Sequence, residues 1–234
     1  FLYFGRKYGM KHKKWLILGG CVLLVALAAL AVILRERPNP WDAPACGDPN
    51  ADMKPVIYLY PEETMDVSVS LDYDGVLTTT YPAYGESGWA VTAMPDGTLI
   101  NREDGKEYSY LFWEGESDVV YDMTHGYVVK GADTAAFLQA TLSRMGLIPR
   151  EYNEFIVFWL PRMEKNPFNL ITFQTKRYTD NAKLSISPKP DSVLRVFMAY
   201  RALDEWVEVE APAALPQFER KGFTAVEWGG CEVQ

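Results

Sequence analysis

Two glutamates beside a tryptophan are the residues whose types and spacing best suit catalysis or ligand binding in this sequence. In the segment FWEGESD, Glu114 follows Trp113 directly and Glu116 lies two residues further on. Alternate side chains of an extended strand point the same way, about 6–7 Å apart. That separation suits a catalytic carboxylate pair for glycoside hydrolysis, or Ca²⁺ coordination as a weaker option. An aromatic ring beside acids also suits sugar recognition, whereas the competing interpretation is a polar strand end that enters a solvated loop.

The other candidates for catalysis carry weaker signals. The chain has two histidines, and His125, in MTHGYVV, lies beyond the apolar N-terminal segment. Zinc sites usually need several histidines or cysteine clusters, so no metal site is predicted. The pattern favours His125 as a turn residue ahead of a strand over a catalytic base. GESG (85–88) lacks the last glycine of a nucleophile elbow, because Trp89 stands there, and it predicts a hairpin turn.

Two further segments combine aromatic and polar residues that suit ligand binding. They are FWLPRMEKNPFNLITF (158–173) and EWGG (227–230). For the first, the pattern favours two strands joined by a loop over the wall of a pocket with polar anchors. The candidate ligand-binding residues are Trp113, Trp159, Arg162, Asn169 and Trp228.

The segment KPVIYLYPEE (54–63) predicts the first core strand, which Pro61 ends before Glu62 and Glu63 reach solvent. The alternative is the rim of a site, where tyrosine hydroxyls and carboxylates would converge.

Period-two alternation extends over most of the remaining chain. DVSVSLDYDG alternates apolar and polar residues up to the turn pair Asp74-Gly75, which predicts a hairpin with VLTTTYP. In a later strand, Tyr108, Tyr110 and Phe112 would share one face and Leu111 and Trp113 the other, which suggests a sandwich interior or a central position under a helix. Strands are also predicted for FIVFWL, NLITF, AKLSIS, VLRVFMAY and GFTAVEW.

One helix is clearly predicted, over DTAAFLQATLSRMG, with Asp133 as its N-cap and Gly146 as its stop. PREYNE (149–154) predicts a short helical turn that begins at Pro149. With about ten strands, the predicted fold is α+β or mainly β: a sandwich-like globular domain over residues 54–234.

An uncharged apolar run precedes this domain. Residues 15–34 are long enough to cross a bilayer. Lysines before the run favour a cytoplasmic tail (1–14), of which residues 1–9 precede a plausible start methionine. A Pro-rich linker (35–53) follows. We expect a single-pass transmembrane anchor; the alternatives are a cleaved signal peptide and a lipoprotein acylated at Cys21. All three place the domain outside the cytoplasm.

Charge and cysteine content restrict the partners and the compartment. Residues 38–234 carry 16 Lys and Arg against 30 Asp and Glu, a net charge of −14. Such a domain repels nucleic acid and anionic lipid, so nucleic-acid binding is not expected. In an oxidising compartment Cys46 and Cys231 suggest a disulfide that ties the two ends of the domain together, and two free thiols are the alternative.

Five segments, KPVIYLYP, YLFWEG, EYNEFIVFWLP, LRVFMAY and VEWGG, resemble in this order an uncharacterised family of exported or membrane-anchored bacterial proteins. The resemblance covers most of residues 54–230. It implies one exported domain at the bacterial cell envelope and assigns no activity, cofactor or site residue.

Three functions are compatible with these features. The leading hypothesis is a membrane-anchored binding module for an envelope glycan or protein partner. The second is a hydrolase of envelope glycans or other polymers, with Glu114 and Glu116 as acid and base. The third is a structural subunit of an envelope complex, which would expose a large apolar patch.

Overall fold

The computed structural model describes residues 51–212, 214–215 and 217–233, with the backbone alone for residues 51 and 52. The predicted cytoplasmic tail, the membrane span and the linker up to residue 50 lie outside the described residues. Within them, the strands are β1 (Ala51–Tyr60), β2 (Met65–Tyr73), β3 (Val76–Tyr81), β4 (Trp89–Ala93), β5 (Leu99–Asn101), β6 (Glu107–Tyr108), β7 (Leu111–Glu116), β8 (Tyr127–Lys130), β9 (Phe168–Gln174), β10 (Ala182–Ser187), β11 (Ser192–Leu203) and β12 (Thr224–Glu232). The helices are α1 (Thr134–Met145), α2 (Pro149–Met163) and α3 (Lys176–Asn181), with a 3₁₀ turn at Gly131–Asp133.

The strands form two sheets. The large sheet has seven strands in the order β3-β7-β1-β12-β11-β9-β8, and the small sheet has five in the order β10-β2-β4-β5-β6. All pairs are antiparallel except β11 with β12, which run parallel. The chain is therefore rich in β-structure, as the sequence predicts.

Two apolar cores divide the described residues into layers. One core joins the inner faces of the two sheets, where Ile57 and Leu59 of β1 meet Val67 and Val69 of β2. The other core lies between the large sheet and the helices α1 and α2. This packing of two sheets is consistent with the predicted sandwich, to which the helices add a third layer.

Strand β1 lies in the interior of the large sheet, between β7 and β12. Its side chains alternate between the two cores, so that Val56 and Tyr58 pack towards the helices while Ile57 and Leu59 face the small sheet. The strand ends before Pro61, and Glu62 and Glu63 are exposed. The prediction of a core strand with a solvated acidic end is confirmed.

The helix predicted from residue 133 to 146 is confirmed as α1. Asp133 occupies the N-cap position, without a hydrogen bond from its side chain to the helix. Gly146 ends the helix in the left-handed conformation with φ of 108°, which glycine adopts without a steric penalty.

The prediction of a strand over FIVFWL is wrong, because these residues belong to α2. The helix begins at Pro149, as predicted, and Glu151 Oε2 accepts a hydrogen bond from the Ile148 N–H. Its buried residues, Glu151, Phe155, Trp159 and Met163, recur every four positions. This helical spacing outweighs the preference of the aromatic and β-branched residues for strands.

The predicted hairpin at Asp74-Gly75 is also wrong. Strand β2 pairs with β4 and β10 in the small sheet, whereas β3 pairs with β7 in the large sheet. The turn instead carries the chain from one sheet to the other. Similarly, Tyr108 lies in β6 of the small sheet, while Tyr110 and Phe112 pack against the helix-side core of the large sheet.

Two predictions concern residues beyond those described. From residue 51 onward, the described helices include none with the length and apolar character needed to cross a membrane, and the predicted span lies before that point. Cys231 is buried in β12, and Cys46 lies outside the described residues, so the disulfide stays a prediction.

Candidate functional site

Two adjoining cavities of about 500 and 320 Å³ form a groove between α2 and the helix-facing side of the large sheet. Both cavities are lined by Lys54, Tyr110 and Phe158, and we refer to their combined lining as the Lys54 groove. Its remaining lining residues are Tyr81, Phe112, Glu114, Asn153, Glu154, Val157, Pro161 and Arg162. Aromatic rings and charged groups of both signs therefore share one surface.

Lys54 enters the groove from an irregular part of β1. The pairing of β1 with both neighbouring strands shifts between Met53 and Val56, and Lys54 has φ of 52°. Among the described residues it is the only one other than glycine with positive φ. This conformation costs an L-residue roughly 1–2 kcal/mol, and the surrounding packing must hold it in place.

The side chain of Lys54 lies over aromatic rings. Its Nζ is 5.2 Å from the ring centroid of Phe158 and 5.8 Å from that of Trp228. Within the described residues no carboxylate lies within 4 Å of this nitrogen. The rings attract the ammonium group through their negative faces and leave it able to meet an incoming ligand.

Glu114 is the first carboxylate of the groove. It is half-buried on β7, and its Oε1 accepts a hydrogen bond of 3.2 Å from the backbone N–H of Lys54. Burial raises the pKa of Glu114, although this hydrogen bond and the charges of Arg162 and Lys54 partly oppose the shift. Glu114 therefore holds its proton to a higher pH than an exposed glutamate does.

Glu154, on α2, is the second carboxylate. Its Oε2 accepts a hydrogen bond of 2.8 Å from the hydroxyl of Tyr58. Burial and the neighbouring charge of Glu154 raise the pKa of Tyr58, and the same two causes raise that of Tyr110. Both phenols remain protonated hydrogen-bond donors at neutral pH.

Arg162 supplies a second cation. Its guanidinium carbon is 4.1 Å from the ring centroid of Phe158, and its Nη1 donates to the carbonyl of the same residue. Glu154, Phe158 and Arg162 are spaced four residues apart on α2, so they lie on one face of the helix.

Two glycines of β12 allow β1 and α2 to pack closely against this strand. A Cβ atom on Gly229 would lie 3.0 Å from Pro55, and one on Gly230 would lie 2.8 Å from the indole of Trp159. Trp228 pairs with Val56 of β1. The segments EWGG and KPVIYLYP therefore lie on adjacent strands.

Among the residues selected from sequence, Glu114 and Arg162 line the groove and Glu116 does not. Glu116 is exposed and lines a separate cavity of about 600 Å³ with Asp74 and Asp118. The two carboxylates of the groove are Glu114, in the smaller cavity, and Glu154, in the larger one.

The three tryptophans and Asn169 are buried structural residues. Trp113 faces the small sheet, and its indole N–H donates to Glu227 Oε1 at 3.3 Å. Trp159 and Trp228 belong to the core beneath the groove. Asn169 Nδ2 donates to the carbonyl of Met163 at 3.0 Å and so holds the end of α2.

His125 lies outside the Lys54 groove, immediately before β8. Its Nε2 is 2.9 Å from Glu210 Oε2, and its Nδ1 is 2.7 Å from the hydroxyl of Thr124. The side chain is half exposed and lines another cavity of about 400 Å³. Across the described ranges, no group of three or more His, Cys, Asp or Glu side chains is arranged to hold a metal ion. Ca²⁺ binding stays a prediction.

Sequence reasoning missed Lys54, Tyr110, Glu154 and Phe158 as site residues. The signal for two of them was the four-residue spacing of Glu154, Phe158 and Arg162, which has a meaning only if this segment is helical. The sequence instead predicts a helical turn over 149–154, a strand over FIVFWL (155–160) and a loop beyond it, which places these three side chains in three different elements.

The five segments that carry the family resemblance pack together in the structure, and three of them, KPVIYLYP, YLFWEG and EYNEFIVFWLP, supply lining residues of the groove. KPVIYLYP lies in β1, YLFWEG in β7, VEWGG in β12 and LRVFMAY in β11, which are four adjacent strands of the large sheet. EYNEFIVFWLP lies in α2, which covers them.

Fold and groove together define a class: a β-rich protein of two sheets, with an aromatic and charged groove under a helix. A segment of 67 residues, 28% of this chain, is 49% identical to a protein of Butyrivibrio fibrisolvens, the uncharacterised protein in the bglA 3′ region, and covers 68% of that relative. The chain belongs to the same family as this protein. No family model matches the chain, and no solved structure matches it.

Proposed function

We propose that this protein is a membrane-anchored, extracytoplasmic binding protein whose Lys54 groove binds a saccharide. The observation that carries the proposal is the composition of the groove: Tyr110 and Phe158 lie beside Lys54, Glu114 and Glu154 on one surface. Sites that combine apolar surface with a few polar groups are typical of small-ligand binding, and both cavities fall within or close to the usual volume range of about 300–1,000 Å³.

The chemistry of the lining suits a sugar better than an apolar ligand. Aromatic rings can stack on the C–H face of a pyranose. The carboxylates of Glu114 and Glu154 can accept hydrogen bonds from hydroxyl groups, and Lys54 and Arg162 can donate to ring and hydroxyl oxygens. A hydrophobic ligand would cover these four charged groups and offer them no hydrogen bonds in place of water, at a cost in free energy.

The cellular setting rests on the sequence. The apolar run at residues 15–34, the lysines that precede it and the Pro-rich linker support a single-pass anchor with the domain at the envelope. A bacterial envelope presents abundant saccharide polymers to such a domain.

Hydrolysis of the bound saccharide is the second candidate, and one observation favours it. Glu114, whose pKa burial raises, lines the smaller cavity and Glu154 lines the larger one, so two carboxyl groups, one with a raised pKa, border the same groove. Under this candidate Glu114 would be the general acid, with Glu154 in place of Glu116 as its partner.

Thermal unfolding of the full chain in detergent micelles, measured against a panel of neutral and charged oligosaccharides, tests the proposal. A ligand at a hundred times its Kd stabilises a protein by about 2.7 kcal/mol, which is a clear shift in Tm. The substitution Tyr110→Ala should remove this shift. Trp206→Ala, which alters an aromatic side chain that is 59% exposed and outside the groove, should preserve it.

Three results would decide between the candidates. No shift with any saccharide, or an equal shift in the Tyr110→Ala variant, would contradict saccharide binding in this groove. Release of reducing ends by the wild type, lost in Glu114→Gln and Glu154→Gln but retained in Glu116→Gln, would establish hydrolysis. Binding without turnover would leave the protein as a binding module.

A further inference from the structure

The cations of the Lys54 groove contrast with the charge of the domain around them. Residues 38–234 carry nearly twice as many acidic as basic side chains. Such a surface repels anions at long range. Even so, Lys54 lines both cavities of the groove, and Arg162 lines the larger one.

The backbone conformation of Lys54 is a second indication that its side chain has a function. A φ of 52° is readily accepted by glycine and disfavoured for lysine. A long charged side chain thus occupies a position whose backbone conformation favours glycine. Strain of this kind is concentrated at ligand-binding and catalytic sites.

The contacts of the Lys54 ammonium group indicate the charge of the ligand group that would bind it. Nζ lies over the rings of Phe158 and Trp228, and within the described residues it forms no ion pair. The nearby Glu114 accepts a hydrogen bond at Oε1 from the backbone N–H of Lys54. Aromatic faces attract a cation but provide no acceptor for its three N–H groups.

We propose that the saccharide bound in the groove is anionic and that Lys54 Nζ receives its negatively charged group. This inference rests on the proposed saccharide-binding function and specifies the class of ligand. The anionic group is the carboxylate of a uronic acid or the phosphate of a phosphorylated sugar, since an ammonium group donates to either.

The side chain and the strain of Lys54 can be separated by two substitutions. Lys54→Gly removes the ammonium group and relieves the backbone, whereas Lys54→Ala removes the ammonium group and keeps the strained φ. We expect Lys54→Gly to unfold at a higher temperature than Lys54→Ala. Lys54→Met, which retains the apolar stem over the rings, serves as a third variant if the glycine loosens β1.

The test is a calorimetric titration of the full chain in detergent micelles with three probes: an oligogalacturonate, its carboxyl-reduced neutral counterpart and glucose 6-phosphate. The wild type should bind at least one anionic probe roughly tenfold or more tightly than the neutral one, because a charge-assisted hydrogen bond is gained. Each Lys54 variant should bind the anionic and neutral probes with similar affinity. Lys106→Met, at an exposed lysine outside the groove, should retain the preference.

Which anionic probe binds distinguishes the carboxylate from the phosphate source. Equal affinity of the wild type for anionic and neutral probes would overturn the inference and leave saccharide binding intact. The inference would also be overturned, with saccharide binding intact, if Lys54→Gly and Lys54→Met still bound the anionic probe more tightly than the neutral one. A wild type that binds none of the three probes, and no member of the wider saccharide panel, would overturn both proposals.

Discussion

The backbone N–H of Lys54 donates a hydrogen bond of 3.2 Å to Oε1 of Glu114, across the pair of strands β1 and β7. The bond forms at the irregularity in β1, where Lys54 takes positive φ. One carboxylate therefore fixes the backbone of the residue that supplies the groove with its cation. The lysine and the glutamate of the groove should accordingly be coupled in stability and in binding.

Substitution of Glu114 by Gln should alter the pH dependence of stability. Because burial raises the pKa of Glu114 above its ordinary value of 4.5, the folded chain binds this proton more tightly than the unfolded chain does. The wild type therefore loses stability as the pH rises from that value through the raised, folded pKa. Glu114→Gln keeps an acceptor for the Lys54 N–H and removes this loss.

Urea unfolding at pH 4 and pH 7 measures the effect. The free energy of unfolding of Glu114→Gln minus that of the wild type should be larger at pH 7 than at pH 4. Glu116→Gln, at the exposed position two residues along the same strand, is the matched control. A gain as large in the control would show that burial of Glu114 is not the cause.

The buried ion pair between Arg195 and Glu227 should be sensitive to loss of one partner. The two side chains are 10% and 0% exposed, and Arg195 Nε donates to Glu227 Oε2. Arg195→Met leaves a carboxylate buried without its cation, which costs about 3–5 kcal/mol. The double variant Arg195→Met with Glu227→Met should recover most of that loss.

Equilibrium denaturation of the single and double variants checks this prediction. Lys176→Met breaks an ion pair between side chains that are 83% and 60% exposed, and it should cost less than about 1 kcal/mol. A cost of Arg195→Met no larger than that of Lys176→Met would contradict the account of the core between the sheets.

Gly230→Ala should destabilise the protein by steric overlap. The added Cβ would lie 2.5 Å from the carbonyl oxygen of Met198 and 2.8 Å from the Trp159 ring, and overpacking of this kind costs about 1–3 kcal/mol. Gly105 provides the comparison, because a Cβ there meets no atom within 4 Å and only its φ of 67° opposes alanine. The melting temperature should fall further for Gly230→Ala than for Gly105→Ala, and the reverse order would show that β12 can move away from α2.

The predicted disulfide can be tested through Cys46, whose replacement leaves the buried Cys231 side chain in place. In the chain-entropy model, closure of so long a loop stabilises the folded state by about 4–5 kcal/mol. Reduction should lower the melting temperature of the wild type and leave that of Cys46→Ser unchanged. Identical peptide masses with and without reductant would exclude the bridge.

Local sequence patterns are sufficient to predict the elements that follow a simple hydrophobic period. The alternation in β1 and β2 and the cap and stop of α1 could all be read from the sequence. The strand pairing after the Asp74-Gly75 turn could not be predicted in this way. The local sequence of the turn is the same whether the next strand pairs with β2 or crosses to the other sheet. Burial of β2 against the large sheet decides that question, and burial is a tertiary property.

The site was harder to predict than the fold. The residue types of Glu114 and Arg162 predict a role at a site, whereas a role for Glu154 and Phe158 follows only if α2 is recognised as a helix. Lys54 could not be found by propensity, since its conformation is one that lysine disfavours. Positions that contradict local preference are where function is most often located, and a sequence pattern alone cannot reveal them.

The most direct test of the account is a crystal structure of the chain soaked with the saccharide that stabilises it most. The account predicts a sugar ring stacked on Tyr110 or Phe158, with an anionic group within hydrogen-bonding distance of Lys54 Nζ. A saccharide bound elsewhere, such as in the cavity beside His125, with the Lys54 groove empty, would contradict it.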